Sequence, residues 1–194
     1  MSDVIPTREQ AWALLCEYTK TPALRTHALT VEGVMRHFAG LYGGDVELWG
    51  VCGLLHDIDY EQWPNEHCTR CRQLLADAGV DDSLIRAVAS HGWSICSEVE
   101  PISDMEKVLF AVDELTGLIT AAAIMRPSRS VMDLELKSVK KKYKSKGFAA
   151  GVDRGIIEKG CEMLGRSLDD VITETILGMR ECAEQIGLKG ECAE

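Results

Sequence analysis

The chain has 194 residues, 46% hydrophobic and 27% charged, with a formal net charge of −10 at pH 7. Such a length is expected to make one domain over 1–194, able to bury roughly 70% of its unfolded surface. The acidic balance excludes a dedicated nucleic-acid binder, whose footprint is net basic, and the longest apolar stretch, "GLITAAAIM", is too short to span a bilayer.

The pattern predicts helices almost throughout, hence an all-α fold. Thr7-x-x-Gln10 is a capping box opening a first helix through about Lys20. Thr21-Pro22 starts a second that runs to Gly43-Gly44. Asp45 caps a third, "LWGVCGLLHDIDYEQW", which ends at His56-Asp57. Pro64 starts another that stops at Gly79, and Asp81-Asp82-Ser83 begins a short one ending near His91-Gly92. Ser103-Asp-Met-Glu106 is a second capping box, leading a helix to about Met125 before Pro127 breaks the chain. Two more are expected at about 149–164 and 168–187. The opening residues "MSDVIPTREQAW" lack the apolar core of a signal peptide, so a cytoplasmic protein with no membrane partner is expected.

Eight cysteines then stand in a reducing compartment, where free thiols are the default. Cys16, Cys52, Cys96 and Cys161 stand singly among apolar neighbours, as small core residues do. Cys68-Thr-Arg-Cys71 has neither the second Cys pair nor the His-x-His partner of a structural zinc site.

Five polar residues sit where hydrophobic ones are expected: His27, His56, Asp57, His91 and Asp113. An unpartnered buried imidazole costs roughly 1–3 kcal/mol and a lone carboxylate more. A shared divalent cation offsets both, because such metals take imidazole nitrogen and carboxylate oxygen. His27 lies on one helical stripe with Val31, Val34 and Phe38, whereas His37 falls off it. His91 follows Leu84 and Val88, and His67 precedes Cys71, Leu74 and Ala78, at helical steps. Asp113 has Leu109, Phe110, Thr116 and Gly117 on its face, and the glycine leaves space beside the carboxylate.

The order His27, His56-Asp57, Asp113 resembles the HD-domain (HD/HDIG) superfamily of metal-dependent phosphohydrolases, and "LLHDID", "ASHG" and "AVDELTGL" with "KSVKKKYKSKGFAAGV" resemble one single-domain branch of it over about 24–185. The resemblance implies an all-α bundle with the metal between helices. Asp59 departs from it, standing where the HDIG signature has glycine. It further implies a metal-dependent hydrolase releasing phosphate from a small phosphorylated metabolite, nucleotides included. His27, His56, Asp57 and Asp113 would hold one divalent ion (Mn, Mg, Fe, Zn, Co or Ni, not distinguished). His67 and His91 would either hold a second, with Asp57 bridging, or fill the core, so one or two ions per chain are expected. Water activated by the metal would attack the ester. Asp59, Glu61 and Glu66 are candidates for acid–base work. Lys140, Lys141 and Lys144, within a segment holding six of the 21 basic residues, are candidates for phosphate attraction or a plain solvated segment. A di-iron oxygenase and a non-catalytic metal- or nucleotide-binding sensor module are the alternative functions.

Overall fold

The computed structural model describes residues 4–190, and among these the regular structure is helical apart from two isolated bridges, Val4 to Val80 and Trp93 to Ser97. The helices are α1 (Arg8–Tyr18), α2 (Pro22–Tyr42), α3 (Val46–Leu55), α4 (Arg70–Asp77), α5 (Asp82–Ser90), α6 (Asp104–Ile124), α7 (Leu136–Tyr143), α8 (Arg154–Leu164) and α9 (Leu168–Glu181). Both capping boxes form: Thr7 accepts from the Gln10 amide at 3.3 Å and Ser103 from the Glu106 amide at 3.3 Å, with the Gln10 and Glu106 side chains reaching back. Asp45 accepts from the Glu47 and Leu48 amides at 2.9 and 3.1 Å and starts α3.

α3 is buried continuously from Trp49 to Leu55, as an all-round apolar helix must be. It packs on α2, which also packs on α6 and α9. Gly53 makes the α2–α3 approach possible: a Cβ there would stand 2.8 Å from Met35 Cγ and 3.0 Å from the Val31 carbonyl oxygen. That close approach delivers the C-terminal end of α3, and His56 with it, beside the first turns of α2. One apolar core runs from Ala11 and Leu15 in α1 to Met179 in α9. Among the described residues no helix is long and apolar enough to cross a membrane.

Four expectations need correction. The Pro64–Gly79 helix is two pieces, a 3₁₀ turn at Pro64–Glu66 and α4, because Cys68 takes a left-handed φ of 63° and reverses the chain between them. The helix expected from 149 starts only after Asp153, which caps it through the Gly155 and Ile156 amides. The helix expected to reach 187 gives way to turns after Glu181. The lysine-rich segment contains α7, whose buried Val139 and Tyr143, with Leu136, form a narrow apolar stripe among the charges.

Candidate metal centre

Helices α2, α3 and α6 each bring one side chain to a common point. His27 lies in the second turn of α2, its Nε2 3.1 Å from His56 Nε2 and 3.0 Å from Asp113 Oδ1. His56 continues the helical path just past α3, and its Nε2 is 3.3 Å from Asp57 Oδ2 and 3.4 Å from Asp113 Oδ1. Asp57 Oδ2 is also 3.6 Å from His27 Nε2. Two nitrogens and two carboxylate oxygens therefore crowd one small volume.

The other Asp57 oxygen faces a second pair of imidazoles. Oδ1 lies 3.5 Å from His67 Nε2 and 3.5 Å from His91 Nε2, which are 3.2 Å from each other. His91 comes from the C-terminal end of α5, as its helical stripe requires. His67 does not sit on a helix at all; its extended ψ of 143° and the reversal at Cys68 turn the ring inward. The structure thus brings all six residues together, five from helix faces or helix ends (His27, His56 with Asp57 after it, His91 and Asp113) and His67 from an irregular turn that helical periodicity cannot describe. Among the described residues, His27, His56 and Asp57 form one group that could hold a metal, and His67, Cys68 and His91 form another.

The hydrogen bonds behind the rings decide what the cluster wants. His56 Nδ1 is 2.7 Å from the Gly53 carbonyl, and His91 Nδ1 is 2.6 Å from the Val88 carbonyl. A carbonyl only accepts, so both Nδ1 atoms carry protons and the neutral rings present bare Nε2 lone pairs to the centre. His67 does the same through Asp59, whose Oδ1 is 2.7 Å from His67 Nδ1. Lone pairs on nitrogen then face anionic oxygens, which repel unless a proton or a metal cation lies between them. The donor set and its outer supports fit divalent cations.

Without a cation, protons serve that purpose. Burial opposes charge on His56, but the Asp57 and Asp113 carboxylates outweigh it and hold its pKa well above the usual imidazole value. Burial likewise raises Asp57 and Asp113, and the imidazoles outweigh it, leaving both below the ordinary carboxylate range. For His67, burial is outweighed by its Asp59 hydrogen bond and the Asp57 charge, so its pKa is raised. A metal entering here displaces protons, so its affinity falls as the medium is acidified.

The candidate acids and bases go elsewhere. Asp59 is wholly buried, with Oδ2 accepting from the Cys71 amide at 2.7 Å, so both oxygens are engaged away from the cavity. It holds His67 from behind and is not part of the cavity lining. Glu61 accepts from the Lys20 and Thr21 amides at 2.7 and 3.0 Å and from the Thr21 hydroxyl at 3.0 Å, tying down the chain just ahead of α2. Glu66 is exposed, 3.8 Å from Arg70. Lys140, Lys141 and Lys144 line a separate depression on α7, and Lys140 Nζ is 2.6 Å from Asp169. His37, left out of the site by its position, sits between Glu174 and Glu181 at 2.9 and 2.7 Å.

The cluster opens into a cavity of about 400 Å³ whose wall includes Leu24, Tyr60, Ile95, Gly117, Val152 and Ile156. Among the described residues its lining holds no lysine or arginine. It does hold Glu114, which the sequence reading passed over although it adjoins Asp113. Burial, then the Asp113 charge, push its pKa up to about 7.

The Asp59 contact makes a prediction. In Asp59→Asn the amide keeps one accepting oxygen for two donors, so either His67 Nδ1–H or the Cys71 amide meets an NH₂ group. Metal affinity at the His67–His91 side is expected to fall about 10–100-fold while the His27–His56 side keeps its affinity. Calorimetric metal titration checks it; two unchanged binding events would refute the orienting role.

Compared with known proteins, residues 24–118 match the family model for the HD domain. No curated protein and no solved structure matches the chain.

Proposed function

The chain belongs, through residues 24–118, to the HD-domain family of the metal-dependent hydrolase superfamily, and from that premise we propose that it is a phosphohydrolase acting on a small phosphorylated molecule at a dinuclear metal site. The observation that carries the proposal is Asp57, whose two oxygens face two separate groups of imidazole nitrogens. Asp57 would bridge, His27, His56 and Asp113 would complete one side, and His67 and His91 the other. Two cations so held would supply Lewis acidity at a phosphoryl oxygen and ready a water for attack.

The protein groups do the remaining work. The carbonyls of Gly53 and Val88 and the Asp59 carboxylate fix the ring tautomers. The cavity suits a small molecule, and its walls, without lysine or arginine among the described residues, leave an anionic group to be met at the metal cluster. Gly151, Val152 and Ile156, beyond the matched segment, complete those walls, so we take 1–194 as one functional unit. Glu114 is the cavity carboxyl outside the cluster, and a pKa of about 7 suits it to donate a proton to a leaving group. Glu114→Gln is expected to lower kcat about 10²-fold with metal content unchanged. Loss of metal in that variant would make Glu114 a ligand instead.

The test of function is metal analysis of protein purified without a histidine tag, followed by phosphate release from a panel of phosphoesters with Mn, Mg, Fe, Zn, Co and Ni. Two ions per chain and metal-dependent phosphate release are expected; no release with any of these ions refutes the hydrolase. A second reading, a di-iron oxygenase of small organic substrates, is favoured by the apolar walls and the absence of lysine and arginine from them. Oxygen consumption by the ferrous protein, without phosphate release, would select it.

A further inference from the structure

The Cys68-x-x-Cys71 pair points along the chain, but the structure pairs Cys68 with a cysteine from a different segment. Cys68 Sγ lies 2.7 Å from Cys96 Sγ, inside ordinary non-bonded sulfur contact and about 0.7 Å beyond a disulfide bond of about 2.0 Å. Two features bring the sulfurs together. The left-handed backbone at Cys68 turns its side chain back toward the 92–97 turn, and Gly92 leaves the space they occupy, since a Cβ there would overlap both sulfur atoms. Cys71 is buried, with its amide on Asp59.

Access is asymmetric. Cys96 is half-buried and lines the open cavity, whereas Cys68 is fully buried behind it. We propose that Cys68 and Cys96 form a reversible redox modification site, a dithiol that peroxides oxidise to a disulfide. The Cys96 thiol attacks a peroxide, giving a sulfenic acid and releasing water or an alcohol. The Cys68 thiol then attacks that sulfur, the S–S bond forms, and a second water leaves. The two thiols lose two electrons and two protons to the one peroxide. The bond ties the segment next to His67 to the turn that follows His91, so oxidation fixes the spacing of those two rings. The site needs no bound cation, and its test is independent of the hydrolase reading.

The full-length chain is reduced, desalted and treated with one equivalent of hydrogen peroxide, then mapped by mass spectrometry under non-reducing conditions. The expected result is a loss of 2 Da, a cross-linked peptide pair containing Cys68 and Cys96, and return to the starting mass with dithiothreitol. Cys71→Ser is expected to leave this unchanged and Cys96→Ser to abolish it. Oxygen adducts on Cys96 without a cross-link, or a bond from Cys68 to Cys71, would overturn the proposal. Mapping of the unmodified sequence carries the decision, so a variant that folds poorly does not affect it.

Discussion

Asp57→Ala is expected to lose both ions and phosphate release in one step. Asp57 puts one carboxylate oxygen into each half of the cluster: Oδ2 faces His27 and His56, and Oδ1 faces His67 and His91. Without it the second half keeps the His67 and His91 imidazoles and the buried Cys68 thiol but no carboxylate facing the centre, too little charge for a divalent ion beside an apolar wall. The first half keeps Asp113, 3.0 Å from His27 Nε2, but a single carboxylate then balances the whole site. Ion content should fall from two per chain to below one, and turnover by at least about 10³-fold, equivalent to about 4 kcal/mol of transition-state stabilisation. The helices should survive, because Asp57 lies in the turn after α3 and caps none of them. Circular dichroism, elemental analysis and turnover at added metal measure the three quantities. Full turnover with metal restored would remove the bridging carboxylate from the mechanism.

How much of this was legible in the sequence depended on whether a residue's direction follows from a regular element. His27 and Asp113 stand on helical stripes and His91 ends one, so periodicity alone aims them inward. His56-Asp57 was legible because an apolar helix that is buried all round has to release its last residues into the interior. His67 was placed on a stripe of a helix that in fact starts only at Arg70; it reaches the cluster because Cys68 reverses the chain between them. That reversal also hid Asp59, Glu61 and Glu66. In sequence they are three carboxylates near the pair, while in space one hydrogen-bonds to His67, one holds the chain ahead of α2 and one faces solvent. Helix α7 was hidden for a different reason, since four lysines among its eight residues mask the apolar Leu136, Val139 and Tyr143. Cys96 was taken as a small core residue, and its contact with Cys68 joins parts of the chain too far apart for spacing to reveal.

The second large effect is expected in His91→Ala, where ion content falls from two per chain to one. His91 gives the centre only its Nε2, since Nδ1 is committed to the Val88 carbonyl, and it shares that side with His67 and Asp57 Oδ1. Removing it leaves one imidazole and one carboxylate oxygen there, while the His27 side keeps every contact. A purely structural histidine makes a different forecast, with one ion in both proteins. Thermal stability alone does not separate the two, because emptying a nearly fully buried site costs about 2–4 kcal/mol under either. The response of stability to metal does separate them. An ion bound at 100 times its Kd adds about 2.7 kcal/mol to the native state, and the variant should lose that increment for one of two ions. Melting curves across a metal titration, run beside elemental analysis, give both numbers on the same sample. One ion per chain in the unsubstituted protein at saturating metal would leave His67 and His91 as core residues that hydrogen-bond around an empty space, and the dinuclear mechanism would fall with them.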